Sequence, residues 1–168
     1  RRLALALRCR INRPTVFDRK NYYYPDLPKN YQISQLYHNL GEDGRVDIIV
    51  EGEVKPVRIW NVHLEEDAGK LVHPEGGDRC TCVDLNRAGR PLLEIVSAPD
   101  MRASAEVEAY MKTLRNILLY TGVSDCKMQE GKLRFEPSVS LRPAGEEKLG
   151  ARVEIKNVGS ITAVVKAV

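Results

Sequence analysis

The chain has 168 residues, 26 Lys and Arg against 23 Asp and Glu for a formal charge of +3, and is 43% hydrophobic and 29% charged. That is ordinary for a globular protein able to bury one good core, and the small positive balance permits nucleic-acid contact without arguing for it. No apolar run nears the roughly 20 residues a membrane helix needs, no leader-like segment opens the chain, and four scattered cysteines read as reduced thiols, so the default is a cytoplasmic protein with no membrane partner.

In chain order, Leu3-Ala4-Leu5-Ala6-Leu7 reads as the last turns of a helix, ended by Asn12-Arg13-Pro14, because the residue before proline is pushed out of helical geometry. Phe17 to Gln32 shows neither helical nor strand periodicity and reads as a long loop. It combines Phe17, Tyr22, Tyr23, Tyr24 and Tyr31 with Arg19, Lys20 and Lys29. Such a segment either stacks bases and touches phosphates or is pinned to the core by its tyrosines. Gly41-Glu42-Asp43-Gly44 reads as a turn. Val46–Val50 and Val54–Leu64 read as a hairpin across Glu51-Gly52-Glu53, with Pro56 requiring an edge.

The stretch Asn61-Val62-His63-Leu64-Glu65-Glu66-Asp67-Ala68-Gly69-Lys70 carries the densest chemistry. Strand parity places Trp60, Val62 and Leu64 on one face and Asn61, His63 and Glu65 on the other. Adjacent carboxylates repel by about 4 kcal/mol at 4 Å in an effective dielectric near 20, and a divalent cation relieves that. The stretch is a hard-metal site or a solvated acidic turn. His73 to Asp78 is a turn-rich loop. Cys80–Leu85 and Pro91–Val96 are short strands. Ser104–Tyr120 is the clearest helix, with Ser104 as N-cap, Gly122 as stop, and a core-facing stripe of Val107, Tyr110, Met111, Leu114, Ile117 and Leu118.

Leu133 to Arg142 and Ala151 to Asn157 alternate apolar and polar residues, the period of half-buried strands. A hairpin register centred on Gly145 sets Glu136 opposite Glu154, a like-charge pair that needs positive charge between its members. Added to Glu65 and Glu66, this pair would form an oxygen-rich cup suited to Mg²⁺ and phosphate, with Arg134, Arg142, Arg152 and Lys156 on the same faces. The alternative is a set of interstrand salt bridges on a wet sheet. Ile161–Val168 is a helix-like run without a stop signal. Both ends look cut, so a longer protein is expected.

Several motifs in one order carry a resemblance. Asp18-Arg19-Lys20-Asn21-Tyr22, Tyr24-Pro25-Asp26-Leu27-Pro28-Lys29, Tyr31-Gln32-Ile33-Ser34-Gln35, His63 to Lys70, Val83-Asp84-Leu85-Asn86-Arg87, Glu94-Ile95-Val96-Ser97 and Tyr120 to Asp125 closely resemble the GatB/GatE family of the aspartyl/glutamyl-tRNA amidotransferases. The resemblance implies an α+β fold, mostly antiparallel sheet with flanking helices, like the glutamine synthetase catalytic domain. Residues 1–168 would be part of the family's catalytic cradle domain, without its first stretch or the helical and tail domains that follow. It implies ATP- and Mg²⁺-dependent phosphorylation of the side-chain carboxylate of Glu or Asp misacylated onto tRNA, then amidation with ammonia. The ammonia would come from a glutamine-hydrolysing amidase partner, with a third, small protein completing the assembly.

Carried over by position, Glu65, Glu66, Glu136 and Glu154 would be catalytic and metal-binding. Arg134, Arg152 and Lys156 would meet the nucleotide, and Lys20 and Lys29 would lie along the ammonia path. Two departures stand out: Glu136-Pro137-Ser138 occupies a stretch where the family commonly has Asp-Ala-Asn, and the family's N-terminal Glu-x-His element is missing, so this fragment alone is expected to be inactive. Rival readings are a scaffold docking tRNA and the amidase partner, and a free-standing carboxylate-amine ligase.

Overall fold

The structure, a computed structural model, describes residues 1–74 and 80–168. The expected turn-rich loop at His73 to Asp78 lies, from Glu75 on, outside the described residues. In chain order the elements are α1 (Arg2–Ala6), β1 (Arg10–Ile11), β2 (Asp18–Asn21), β3 (Tyr31–Ser34), β4 (Gly41–Val50), β5 (Glu53–Glu66), β6 (Lys70–Val72), β7 (Cys82–Asp84), β8 (Pro91–Ser97), α2 (Ser104–Tyr120), β9 (Ser138–Ser140), β10 (Arg152–Glu154) and α3 (Ile161–Ala167). Strands β1-β4-β5-β8 form one sheet in that order, and β2-β3, β6-β7 and β9-β10 form antiparallel pairs. The expected α+β class with antiparallel sheet stands. Among the described residues no helix is long and apolar enough to cross a membrane.

The chain divides into two compact units, one built mainly from Leu3–Gly44 and Arg58–Ala98, the other from Arg45–Val57 and Pro99–Val168. In the first, Leu3, Ala4, Leu7, Cys9, Leu27, Ile59, Val62 and Ala98 are buried. Gly41 and Gly44, expected in a turn, lie instead within β4. Their lack of a side chain serves packing: a Cβ on Gly44 would sit 2.4 Å from Cys9 Sγ and 2.7 Å from Leu7 O.

The expected hairpin forms, joined by Glu51 and Gly52. Both have positive φ (53° and 84°), which makes the connection a type I′ turn whose twist matches the strands. The β8 ladder begins at Ile59 opposite Ser97, so at Pro56 no β8 residue waits for the donor that proline lacks.

One expectation for β5 fails. The register with β8 shifts between Ile59 and Asn61, a β-bulge that inserts Trp60. Ile59 and Val62 are both buried while Trp60 is half exposed, so Trp60 does not share a face with Val62.

The reading of Phe17 to Gln32 as a loop is also overturned. Asp18–Asn21 pairs with Tyr31–Ser34, Lys20 facing Gln32 and Asn21 facing Tyr31. Strand β2 is polar on both faces, and in β3 the buried face is the polar one, Gln32 and Ser34, so no inward apolar alternation announced them. Two of the tyrosines do not pin the segment, Tyr23 at 85% exposed and Tyr24 at 57%, whereas Tyr22 and Tyr31 are half-buried and Leu27 is the buried anchor. Strand β6 and the short β1 had no counterpart in the sequence reading.

In the second unit α2 runs from Ser104 to Tyr120 as expected, burying Tyr110, Met111, Leu114 and Leu118. Ser104 is not its cap. Ala103 holds the N-cap position, and the Glu106 carboxylate, in the first turn, accepts a hydrogen bond from the Arg102 amide at 2.6 Å and pairs with Lys55 at 2.7 Å. That glutamate satisfies the flanking Arg102 amide and complements the helix dipole, while among the described residues no side chain caps the first-turn amides. At the other end Gly122 (φ 64°) donates to Leu119 O, and Val123 to Leu118 O, closing a Schellman motif. In α3 the Ser160 hydroxyl caps the amide of Ala163 at 3.1 Å.

The late hairpin is shorter than its alternation promised, and its register is offset. Glu154 faces Ser138 and Arg152 faces Ser140, so Glu136 is not opposite Glu154. An offset of two residues keeps every side chain on its expected face, which is why periodicity alone did not detect it.

Candidate metal centre

The first unit gathers the acidic site. On β5, Asn61, His63 and Glu65 share a face, and in the ladder with β8 His63 stands directly opposite Glu94. His63 Nε2 lies 3.5 Å from Glu94 Oε2 and 4.0 Å from Glu65 Oε2, and ligand atoms of the three residues fall within 4.8 Å of one another. It is the one such cluster among the described residues. His63 Nδ1 sits 2.9 Å from Asn61 Oδ1. With the amide oxygen accepting, Nδ1 carries the proton and Nε2 keeps its lone pair, the tautomer a metal requires.

Two carboxylates at most 4.8 Å apart repel by about 3.5 kcal/mol or more at an effective dielectric near 20, before solvent screening of the half-exposed Glu94. Burial pushes the Glu65 carboxyl above its ordinary value, with Glu94 adding to the rise while Lys20, His63 and the Ser34 hydroxyl oppose it. The Ser34 hydroxyl donates to Glu65 Oε2 at 3.2 Å. Two carboxylates and a neutral imidazole are the donors of a divalent cation, the carboxylates favouring Mg²⁺ or Mn²⁺.

Glu66, the next residue, turns elsewhere. Its Oε1 pairs with Lys29 Nζ and accepts the Ile33 amide at 3.0 Å. Burial pushes its carboxyl up, but those two donors outweigh it and hold Glu66 below the ordinary carboxylate value. Lys29 also lies 4.8 Å above the Tyr31 ring, where Arg19 stacks as well, and Lys20 lies over Tyr22. Strand parity put Glu65 beside His63 and left open which of Glu65 and Glu66 would meet a cation; in the structure Glu65 does stand beside the imidazole.

Beyond residue 62 the β5 edge is held by side chains from β3 and the residue that follows it. Gln32 Nε2 donates to Glu66 O at 2.6 Å, and Gln35 Oε1 accepts the Leu64 amide at 2.9 Å. Tyr22 donates its hydroxyl to Gln32 Oε1. Gln32, Ser34 and Gln35 are the buried polar residues of the chain's described part, and all three spend their side chains on Leu64–Glu66. The acidic turn that follows is held too: Asp67 forms an ion pair with Arg87, Oδ2 to Nε 3.2 Å, and the Gly69 amide donates to Asp26 O.

The remaining expected residues lie in the second unit. Glu136 is exposed, Glu154 lies 3.4 Å from Lys156, Arg142 donates to Glu147 O, and Arg134 and Arg152 are exposed. His63 was in view from the sequence but unassigned, and Glu94 was missed. The available signal was a lone carboxylate within the apolar strand Pro91–Ser97.

An antiparallel-sheet domain presenting a histidine and two glutamates in metal-binding geometry defines a candidate cation-dependent enzyme domain. The profile of the GatB/GatE catalytic domain matches residues 1–168, and the chain belongs to that family. It is 55% identical over 163 residues to the B subunit of the aspartyl/glutamyl-tRNA(Asn/Gln) amidotransferase of Oceanobacillus iheyensis, covering 97% of this chain and 34% of that protein. To the B subunit of the same enzyme from Lachnoclostridium phytofermentans it is 54% identical over 164 residues, covering 98% and 34%, and to that of Bacillus thuringiensis 54% over 163 residues, covering 97% and 34%. The chain thus spans about a third of the length of the curated relatives it matches.

Proposed function

We propose that this chain is the carboxylate-activating part of an aminoacyl-tRNA amidotransferase, working with Mg²⁺ and ATP on Glu or Asp misacylated onto tRNA in the cytoplasm. The observation that carries the reading is the His63, Glu65 and Glu94 cluster, joined to the family membership. Bound there, Mg²⁺ supplies charge neutralisation for a phosphoryl group in transfer. The protein's own part is orientation: Asn61 sets the His63 tautomer, Ser34 holds Glu65, and the β8 register fixes Glu94.

From the family membership alone, Glu66, Glu136 and Glu154 are proposed as further acidic residues of the reaction, and Arg134, Arg152 and Lys156 as residues that meet nucleotide phosphate. Lys20 and Lys29 line the path of ammonia delivered by a glutamine-hydrolysing amidase partner, in an assembly that includes a third, small protein. The antiparallel strands agree with a glutamine synthetase-like catalytic fold. Titrating the intact protein with Mn²⁺ and following ATP turnover on misacylated tRNA tests the reading. Glu65→Gln and Glu94→Gln each should weaken Mn²⁺ binding and abolish turnover; unchanged binding and turnover in both would refute it.

A further inference from the structure

From the buried contacts at the β5 edge we propose that Gln35 is a positioning residue, its side-chain amide oxygen fixing the Leu64 peptide and thereby the spacing between the flanking ligands His63 and Glu65. The inference rests on the cation site proposed above. Gln35 is 2% exposed, and its Oε1 takes the Leu64 N–H at 2.9 Å, while its Nε2 has no hydrogen-bond partner among the described residues. The amide orientation follows from the donor it faces: turned over, two N–H groups would meet a third.

A buried donor left unmatched is a cost, so the retained oxygen must do something an apolar side chain does not. Leu64 is the peptide between His63 and Glu65, whose side chains both project to the cluster face. Gln35 acts on it as a neighbouring strand's carbonyl would, and Gln32 donates to Glu66 O two residues on, so two carboxamides satisfy β5 backbone groups that no strand among the described residues pairs. A glutamate could accept the same N–H, but it would add a buried negative charge to a site that already sets Glu65 against Glu94. Glutamine is the neutral side chain with the reach and the acceptor.

The test uses the intact protein with Gln35→Met, which keeps length and removes the acceptor, and Gln35→Glu, which keeps an acceptor. Hydrogen–deuterium exchange of the Leu64 amide and the Kd for Mn²⁺ alone are measured beside thermal unfolding. Gln35→Met should speed Leu64 exchange and weaken Mn²⁺ binding by about tenfold, the scale of losses when a ligand's supporting hydrogen bond is removed. Gln35→Glu should restore Leu64 protection. Exchange and Kd both within about twofold of wild type in Gln35→Met would overturn the inference, given the same scale. Should Gln35→Met not fold, Gln35→Glu decides: retained Leu64 protection supports it, and lost protection overturns it. If the wild type takes up no Mn²⁺, the cation reading falls, while the exchange of Leu64 still decides the role of Gln35.

Discussion

Replacing Glu65 by glutamine separates folding from function at the cluster. Glu65 and Glu94 hold oxygens within 4.8 Å of each other, an unscreened repulsion of about 3.5 kcal/mol at an effective dielectric near 20. Half-exposed Glu94 loses much of that to solvent, and Lys20, His63 and the Ser34 hydroxyl offset part of the remainder. A net gain of about 1 kcal/mol for Glu65→Gln in metal-free buffer at pH 7.5 follows, since the amide oxygen still accepts from Ser34.

The sign with pH is fixed by the raised carboxyl. The folded state binds the Glu65 proton more tightly than the unfolded chain, so the cost of the charge is absent below the ordinary glutamate value and grows as pH rises through the raised one. The advantage of the variant should therefore vanish in acid. Excess Mn²⁺ should reverse the order, stabilising the wild type alone. Urea unfolding in EDTA and in Mn²⁺, at both pH values, reads all of this. A variant less stable than wild type in EDTA at pH 7.5 would refute the reasoning, for it would mean the carboxylate is a net stabilising partner.

Lys29→Met should release Glu66, whose carboxyl then titrates closer to its ordinary value by NMR, at a cost of about 0.5–1 kcal/mol at neutral pH after discounting for the exposure of Lys29. Because the folded carboxyl is depressed, that wild-type stability should persist above the ordinary glutamate value and be lost as pH falls through the depressed one. Gly69→Ala would place a methyl 2.8 Å from Asp84 O and 3.0 Å from Asp26 O, backbone atoms that cannot step aside cheaply, and should lower unfolding stability by about 1–3 kcal/mol in urea titration.

Local signals carried well where one face is apolar. The α2 stripe announced the helix, whose limits fall at the expected Ser104 and Tyr120, and the hairpin expected across Glu51-Gly52-Glu53 forms, its turn one residue shorter because Glu53 already belongs to β5. They failed where a strand is polar on both faces, as in β2, where the buried face is the polar one, as in β3, or where a glycine exists for close packing, as at Gly44. The site was half legible. Glu65 was named from its stretch, but its partnership with Glu94 depends on a pairing between strands separated in sequence. Nor does the sequence show that Lys29 and the Ile33 amide draw Glu66 away from the imidazole. Whether a slip of two residues separates Glu136 from Glu154 is likewise decided by loop geometry that alternation does not encode.

The extra residue at Trp60 has an evolutionary corollary. Because the bulge inverts the odd–even code midway along β5, deleting Trp60 would leave Ile59 and Asn61 opposite Ser97 and Val96 as successive pairs of a regular ladder, with Val62 still inward and the imidazole and Glu65 still on the cluster face. Loss of the residue at position 60 should therefore leave the site standing, while a one-residue insertion or deletion between Val62 and Glu65 should be purged because it turns Glu65 to the other face.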